Sequence, residues 1–380
     1  MIAANRSYRV DFNTLLDDLL MRICAKLQLS KTQHEQAAAR YESVGEWISR
    51  PDSPLYVWKP RIYPQGSLRI GTSLKPLARN VHDLDLVCEM DFDWTAADPI
   101  WVLNLLEKAL KENGTYRGMI ERKNRCIRLV YANEFHMDIL PGAPNRWGPE
   151  SAIKVPDRSL QAWKDSNPIG YGNWFESKAT YRMFAEDSKM EPIPDQEDLD
   201  EKSPLKFAVQ LMKRYRDIEF KTDMGSAPIS IVLTTLAGHN YLGSSSVNDA
   251  LFSILTGINN SVLSIGAGLR LPVLNPANPA EDLSERWGTD AGAYQKFTSW
   301  IAKFWAAWQN LQGYRGPQLY KQLLNMFGEE VTVSAIKEQA DEFGKRRVDE
   351  KLGVLGNGVG LTVATAPAVI PVRTNTFYGQ

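Results

Sequence analysis

The sequence predicts an α+β protein, with a sheet in its first half and helices in its second half. Between residues 50 and 145, strand-like segments surround a helix-like segment, and the last two strands are separated by a short turn. Beyond Ser203 the apolar residues recur at helical spacing. A strand, a helix and a pair of strands, followed by a run of helices, are typical of a sheet core joined to a helical part.

Two helices are predicted in the first 50 residues. The apolar residues from Phe12 to Leu27 recur three and four positions apart and form one stripe. Ser30 has the side chain of an N-cap, so a second helix is expected to follow it and to end before Pro51.

The next segment mixes strands with one helix. YVWKPRIYP and VHDLDLVCEM are strand-like, and CIRLVY and FHMDIL are two further strands around a turn. A helix is expected to begin at Asp98-Pro99 and to end at Asn113-Gly114, because Pro favours a first helical turn and Gly favours a helix end. Residues 142–203 are rich in loop-forming residues.

Five helix-like segments follow Ser203. After Lys351 the chain carries a single charged residue, Arg373, and many glycines. This composition at the end of the chain predicts a flexible tail.

Charge and cysteine content restrict the classes of partner. The 380 residues include 44 Lys and Arg against 45 Asp and Glu, so a stable nucleic-acid partner is not expected. Cys24, Cys88 and Cys126 lack a metal-binding spacing and are expected to be reduced thiols. The N-terminus has no signal-like apolar core and no stretch is long enough to span a bilayer, so we expect a soluble cytoplasmic protein without a membrane partner.

A Gly-Ser pair follows the first strand-like segment, in Gln65-Gly66-Ser67. A glycine at such a turn lets the backbone approach a ligand closely, and a serine can cap a helix whose free N–H groups face a phosphate. Taken alone, the pair is more commonly a plain turn.

Asp83 and Asp85 lie two positions apart in a strand, so both carboxylates share one face while Leu84 and Leu86 lie on the other. Like charges at this spacing weaken a strand unless something offsets them. A divalent cation such as Mg²⁺ or Mn²⁺ is the simplest candidate, since both prefer oxygen ligands. The alternative is two acids on a solvated strand face.

Asp138 lies inside an apolar strand, where a carboxylate is costly unless it is paired or bound to metal. The alternative is an ordinary exposed strand acid. If this strand lies beside the one that carries Asp83 and Asp85, three carboxylates converge. Such a triad can hold two cations about 3.5–4 Å apart and support in-line phosphoryl or nucleotidyl transfer.

The order of Gly-Ser, Asp-x-Asp and a single Asp in an apolar strand resembles that of the polymerase-β-like nucleotidyltransferases. The string YPQGSLRIGTSLKPL…HDLDLVCEM resembles more narrowly the bacterial cGAS/DncV-like nucleotidyltransferases (CD-NTases), relatives of the oligoadenylate synthetases. LKFAVQLMKRYRD and SAPISIVLTTLA resemble the nucleotide-binding helical half of that group. The resemblance implies a polymerase-β-like sheet core with a helical C-terminal half. It divides the chain into N-terminal helices packed on the core (1–50), a catalytic core (51–203), a helical nucleotide-binding domain (204–351) and the flexible tail (352–380).

The resemblance also implies roles for individual residues. Asp83, Asp85 and Asp138 would be the catalytic residues and would ligate two Mg²⁺ or Mn²⁺ ions, with Asp138 helping to deprotonate the attacking ribose hydroxyl. The residues implied to bind the nucleotide are Gln65, Gly66, Ser67, Lys206, Gln210, Lys213 and Ser230.

These roles imply an enzyme that joins NTPs, ATP expected among them, into a cyclic di- or oligonucleotide second messenger and releases pyrophosphate. The family context implies anti-phage signalling through a downstream effector that the product activates. It also implies that ubiquitin-like conjugation machinery could act on the C-terminal tail, although simple disorder fits the tail equally well.

Three alternatives remain open at this stage. A linear oligonucleotide synthetase and an RNA-directed nucleotidyltransferase would use the same triad with another acceptor. The near-neutral charge counts against RNA substrates. A nucleotide-binding module without chemistry would leave clustered carboxylates unused, which is costly.

Overall fold

The computed structural model describes residues 9–10, 12–75, 77, 82–132, 135–179, 193–195, 197–198, 201–266, 268–348, 352–355, 361–363 and 369–371. Within them the chain has the predicted α+β class, with one mixed sheet followed by helices. Its N-terminal part contains β1 (Arg9–Val10), α1 (Phe12–Leu27) and α2 (Lys31–Ser49).

Helix α2 begins where the sequence predicts it. The Ser30 hydroxyl accepts a hydrogen bond from the Gln33 N–H at 3.2 Å, and the Ser30 N–H donates to the Gln33 side chain at 2.9 Å. This reciprocal pair satisfies two N–H groups that the first helical turn leaves without partners.

Within the described residues, the sheet has seven strands. Their order is β2-β3-β6-β5-β4, and β7 and β8 continue from the far end of β6. The strands are β2 (Arg61–Pro64), β3 (His82–Glu89), β4 (Ile120–Arg122), β5 (Ile127–Tyr131), β6 (Phe135–Pro144), β7 (Ile153–Asp157) and β8 (Ala162–Ser166).

One pair of strands in this sheet is parallel, β3 with β6, and the other pairs are antiparallel. A parallel pair needs a long crossover connection, which here contains a helix and the β4–β5 hairpin. The three helices of this part are α3 (Gly66–Arg69), α4 (Pro99–Lys111) and α5 (Pro168–Ala179).

The second half is helical and contains one short hairpin. It includes a helix between Gly316 and Phe327 that the sequence patterns did not predict. The elements are α6 (Pro204–Glu219), α7 (Ser230–Asn240), α8 (Val247–Ser264), β9 (Leu274–Asn275), β10 (Asn278–Asp282), α9 (Arg286–Thr289), α10 (Ala291–Leu311), α11 (Gly316–Phe327) and α12 (Glu329–Val348).

Two large hydrophobic cores form, and the N-terminal helices divide between them. Tyr41 and Ile48 of α2 pack in the core beneath the sheet, together with α4. Leu20 and Ile23 of α1 instead pack in the core of the helical half, with Phe207 of α6. The sequence predicts both helices on the sheet core, so α1 departs from that prediction, because its apolar stripe faces α8 and α12.

The predicted flexible tail needs a partial correction. Three short strands lie within residues 352–380, and they form a sheet of order β1-β12-β11-β13 with the N-terminal strand. Branched apolar residues favour strand formation. Antiparallel pairing between these strands provides hydrogen-bond partners for backbone groups that face a neighbouring strand. They are β11 (Leu352–Leu355), β12 (Leu361–Val363) and β13 (Val369–Pro371).

Among the helices that the structure describes, none combines the length and the apolar character required to cross a bilayer.

The cap of α4 offers a test of the helix assignment. The Asp98 carboxylate accepts hydrogen bonds from the N–H groups of Ile100 at 2.6 Å and Trp101 at 3.0 Å. Asp98→Ala is expected to lower the free energy of unfolding by about 1 kcal/mol, since both N–H groups lose their acceptor. Thermal unfolding measures this change. Asp98→Ser keeps an acceptor and should lose much less, and equal losses in the two variants would contradict the assignment.

Candidate active site

The parallel register of β3 and β6 brings the predicted aspartates together. Asp85 lies opposite Asp138, and Asp83 lies opposite His136. Because side chains alternate along a strand, these polar groups share one face of the sheet. Leu84 and the other alternating apolar residues of both strands lie in the core on the opposite face.

The three carboxylates have different surroundings. The side chain of Asp83 is 51% exposed, whereas that of Asp138 is 17% exposed. Burial, together with the negative charges of Asp138 and Asp83, raises the pKa of Asp85 to about 7. This crowding of negative charge favours the arrival of a cation.

A glycine makes the close approach of the Gly-Ser turn to this triad possible. The Gln65 N–H donates to the backbone carbonyl of Asp85 at 2.9 Å, and the next residue, Gly66, has a φ of +64°. A Cβ at Gly66 would lie 2.5 Å from Oδ2 of Asp85, which is far inside van der Waals contact. Only glycine fits here, because an L side chain would meet both a strained backbone and the carboxylate.

The loop after the Gly-Ser turn is attached to α6. The Ser67 carbonyl accepts from the Thr72 N–H at 2.9 Å. The Gln210 amide donates to the Ser73 carbonyl at 2.9 Å, and Lys213 Nζ donates to the Thr72 carbonyl at 3.2 Å and to its hydroxyl at 2.9 Å. Burial lowers the pKa of Lys213 to about 7. The helical half therefore positions the loop that carries the candidate phosphate-binding turn.

A cavity of about 410 Å³ lies between the sheet and the helical half. Such a cleft is the usual place for a small-molecule site. Its polar lining comes from both halves and includes Gln65, Gly66, Ser67, Thr72, Ser73, Lys75, Asp83, Asp85, Lys213, Arg216, Asp217, Ser230 and Thr234.

Lys206 and Gln210 have other surroundings. The Lys206 side chain is 3% exposed, and its Nζ lies 2.8 Å from Glu176 Oε1 and 2.5 Å from Glu197 Oε1. Gln210 is fully buried against the loop. Of the predicted nucleotide-binding residues on α6, Lys213 alone lines the cavity in the part of the chain that the structure describes.

Two arginines at the site were missed by the sequence analysis. Arg216 lines the cavity and donates to the Ser230 hydroxyl at 2.8 Å. Its position three residues after Lys213 places both on one helix face, and this spacing could have indicated it. Arg128 of β5 donates to both oxygens of Asp138 at 2.7 Å. The alternation of IRLVY places Arg128 on the polar strand face, but its partner depends on strand order.

The three aspartates offer carboxylate oxygens on one face of the sheet, and a hard divalent cation prefers such oxygen ligands. Within the described ranges, no cluster of three or more His, Cys, Asp or Glu has a geometry that could hold a metal ion. In this structure both oxygens of Asp138 bind Arg128 instead.

Comparisons with known proteins place this chain among cyclic dinucleotide synthases. A family model described as the Second Messenger Oligonucleotide or Dinucleotide Synthetase domain (SMODS) matches residues 15–179. A c-di-GMP synthase of Roseivirga ehrenbergii is 33% identical over 376 residues, which cover 97% of this chain and 98% of the relative. The cyclic dinucleotide synthase CdnG of Bradyrhizobium diazoefficiens is 27% identical over 389 residues, covering 95% of this chain and 91% of the relative.

Solved structures share the fold. The Bradyrhizobium diazoefficiens CdnG structure in complex with GTP matches with a TM-score of 0.71 and 25% identity, covering 85% of this chain and 98% of the other. Vibrio cholerae DncV, a cyclic AMP-GMP synthase, matches with a TM-score of 0.56 and 14% identity, covering 85% and 97%, and so supports the fold alone. Because it is 33% identical to a cyclic dinucleotide synthase over nearly the whole of both chains, this chain belongs to the bacterial CD-NTase family and is a nucleotidyltransferase that makes a cyclic nucleotide from NTPs, in a family whose chemistry depends on divalent metal.

Proposed function

We propose that the enzyme is a cyclic dinucleotide synthase whose substrate is GTP, and that its product is cyclic di-GMP. The support is the relative from Roseivirga ehrenbergii, a c-di-GMP synthase that aligns with this chain over nearly its whole length. The Bradyrhizobium diazoefficiens relative has been solved with GTP bound. In this proposal GTP occupies both positions of the product, in place of the ATP that the family resemblance implies.

The reaction consists of two transfers of the same kind. A ribose hydroxyl of one GTP loses its proton and attacks the α-phosphorus of the other GTP. A phosphodiester bond forms, the bond to the β-phosphate oxygen breaks, and pyrophosphate leaves. In the second transfer the free hydroxyl of the linear intermediate attacks its own α-phosphorus, which closes the ring and releases a second pyrophosphate.

Asp83, Asp85 and Asp138 are proposed to hold two Mg²⁺ or Mn²⁺ ions. Bound there, divalent cations would lower the pKa of the attacking hydroxyl and offset charge on the phosphates. The Asp138 carboxylate lies opposite Asp85 in the register and is the proposed acceptor of the hydroxyl proton. Catalysis then depends on positioning and electrostatics, with no covalent intermediate on the protein.

The cavity carries this proposal, because its lining places cationic and hydroxyl groups opposite the carboxylates. Gly66 and Ser67 are proposed to bind the β- and γ-phosphates through their backbone N–H groups, with Gln65 preceding them. Lys213 and Ser230 approach from the helical half, and Arg216 adds a second cation there. Charge-assisted hydrogen bonds from these groups suit a triphosphate.

Lys206 and Gln210 are proposed to act indirectly. Gln210 holds the loop at Ser73, and Lys206 joins α6 to Glu176 and Glu197. Both residues would thus set the position of Lys213 and of the Gly-Ser turn without touching the nucleotide.

Membership of the CD-NTase family supports a role in signalling. We propose that the product activates a separate effector in anti-phage defence in the cytoplasm. Conjugation at the C-terminus stays a prediction, since residues 372–380 lie outside the described residues.

Omission of single nucleotides tests the substrate. With labelled NTPs and Mg²⁺ or Mn²⁺, the enzyme is expected to make a phosphatase-resistant product that disappears only when GTP is omitted, and Asp83→Ala/Asp85→Ala should make none. Asp91→Asn is the matched control, because Asp91 follows the same strand and binds Arg146 away from the cavity. A product that requires ATP, or a linear product cut by phosphatase, would contradict the proposal.

Gly66→Ala tests the close approach of the turn to the triad. The added Cβ would meet the Asp85 carboxylate, so we expect kcat to fall at least about 100-fold, since small displacements of reacting groups have effects of this size. Gly243→Ala is the control, because Gly243 also has a positive φ, +81°, but its Cβ would meet nothing within 4 Å. Comparable losses of kcat in both variants would show that backbone strain, and not contact with the Asp85 carboxylate, causes the loss.

The two lysines of α6 are expected to differ. Lys213→Met should raise the KM for GTP about tenfold or more, because it removes a charge-assisted contact to phosphate. Lys206→Met should mainly lower the thermal midpoint, because Glu176 and Glu197 would lose their buried cation. Steady-state kinetics and thermal unfolding separate the two effects. A larger rise of KM in Lys206→Met would reverse the assignment.

A further inference from the structure

Arg128 occupies the position between two of the three site carboxylates. Its guanidinium donates to both oxygens of Asp138, each at 2.7 Å, and lies 3.3 Å from Oδ1 of Asp83. A third nitrogen lies 3.2 Å from Nδ1 of His136, which is itself 3.3 Å from Asp83. The Cys126 thiol also contacts Asp138 by a hydrogen bond.

The strand register fixes this arrangement. Arg128 lies directly opposite Asp138 in the antiparallel β5–β6 pair, and Asp138 lies directly opposite Asp85 in the parallel β3–β6 pair. Cross-strand neighbours on one face have Cβ atoms about 5 Å apart, so the sheet places Arg128 beside Asp138 and Asp138 beside Asp85. The backbone thus keeps Arg128 within reach of Asp138, whether its guanidinium binds that carboxylate or moves away.

The two N–H groups that Arg128 donates to Asp138, called the fork here, compete with a divalent cation for the lone pairs of that carboxylate. A planar guanidinium bound to both oxygens of a carboxylate leaves that carboxylate poorly placed to ligate anything else. Asp138 therefore cannot serve as a metal ligand in the arrangement seen here. The side chains of Arg128 and Asp138 are 18% and 17% exposed, so the site is open enough for Arg128 to move away.

We propose that Arg128 is a built-in counter-cation of the aspartate triad, which competes with the divalent cation for Asp138 and sets the metal concentration at which the enzyme becomes active. This inference rests on the proposed metal role of the triad. When the metal-free site is occupied by Arg128, the repulsion among three carboxylates is offset by its charge. The apparent affinity for the metal is then the intrinsic affinity multiplied by the fraction of molecules in which Arg128 does not bind Asp138.

Direct metal binding tests this proposal. The full chain is titrated with Mn²⁺, without nucleotide, and free Mn²⁺ is measured by electron paramagnetic resonance. Arg128→Gln is expected to bind Mn²⁺ about three- to tenfold more tightly than the wild type, since the competing cation is gone. Arg128→Lys keeps the charge but loses the fork, and its affinity should lie between the two.

Arg122→Gln is the matched control for net charge. Arg122 lies on β4 of the same sheet, is 56% exposed and pairs with Glu107, away from the triad. It should bind Mn²⁺ within about twofold of the wild type, because exposed charges at a distance are screened. An equal increase of Mn²⁺ affinity in Arg122→Gln and Arg128→Gln would contradict a competition at Asp138.

A double-mutant cycle tests whether the effect runs through Asp138. Asp138→Asn removes the contested carboxylate, so adding Arg128→Gln in that background should no longer tighten Mn²⁺ binding. Thermal unfolding of each variant confirms that the fold is kept. Mn²⁺ binding that is unchanged or weaker in folded Arg128→Gln would overturn the inference and would make Arg128 a positioning residue for Asp138.

The outcomes separate this inference from the proposed function. If the wild type makes cyclic di-GMP and Asp85→Asn abolishes Mn²⁺ binding while Arg128→Gln changes nothing, only the counter-cation role fails. If the wild type binds no Mn²⁺ and makes no product, the proposed function fails and this inference fails with it.

Discussion

The parallel pairing of β3 with β6 is the constraint on which the site depends. In this register Asp85 lies opposite Asp138, while Leu84 lies opposite Met137 in the core. A slip by one residue would exchange the faces and put Asp138 among buried apolar side chains. Core packing and site assembly therefore select the same register. The crossover through α4 and the β4–β5 hairpin is what makes a parallel pair reachable by the chain.

Charges of both signs line one cavity, and Lys75 and Asp217 are among them. The sheet supplies the carboxylates of Asp83 and Asp85, and α6 supplies Lys213 and Arg216. Burial lowers the pKa of Lys213 to about 7 and raises that of Asp85 to about 7, so burial weakens both charges. A metal-bound triphosphate brings positive charge to the carboxylates and negative charge to the lysine. A bound ligand would thus add to the counter-charge that Arg128 supplies to the triad and that Asp217 supplies to Arg216.

Local patterns predicted many of the elements but missed the helix Gly316–Phe327. Contacts between distant segments were not predictable. The alternation in HDLDLVCE and FHMDIL gave the faces of Asp83, Asp85 and Asp138, and the family resemblance gave their roles. The position of Arg128 opposite Asp138 depends on the strand order, and no periodicity in the sequence encodes that order. The spacing of Lys206 and Lys213 places them on one helix face, but seven residues span about 10 Å along a helix. That distance is enough for Lys206 to make a buried ion pair while Lys213 lines the cavity. The three-residue strands near the C-terminus are too short to show a period.

Ring closure can use the same residues as the first transfer. The linear intermediate keeps a triphosphate at one end and a free ribose hydroxyl at the other, so it is both donor and acceptor. If its triphosphate binds again at Gly66 and Lys213, its α-phosphorus returns to Asp138 and no second catalytic centre is required. The intermediate must then reverse its direction in the cleft. The walls that it turns between are tied together by Lys213 to Thr72 and by Gln210 to Ser73. These contacts would keep the proposed donor position fixed while the rest of the molecule moves.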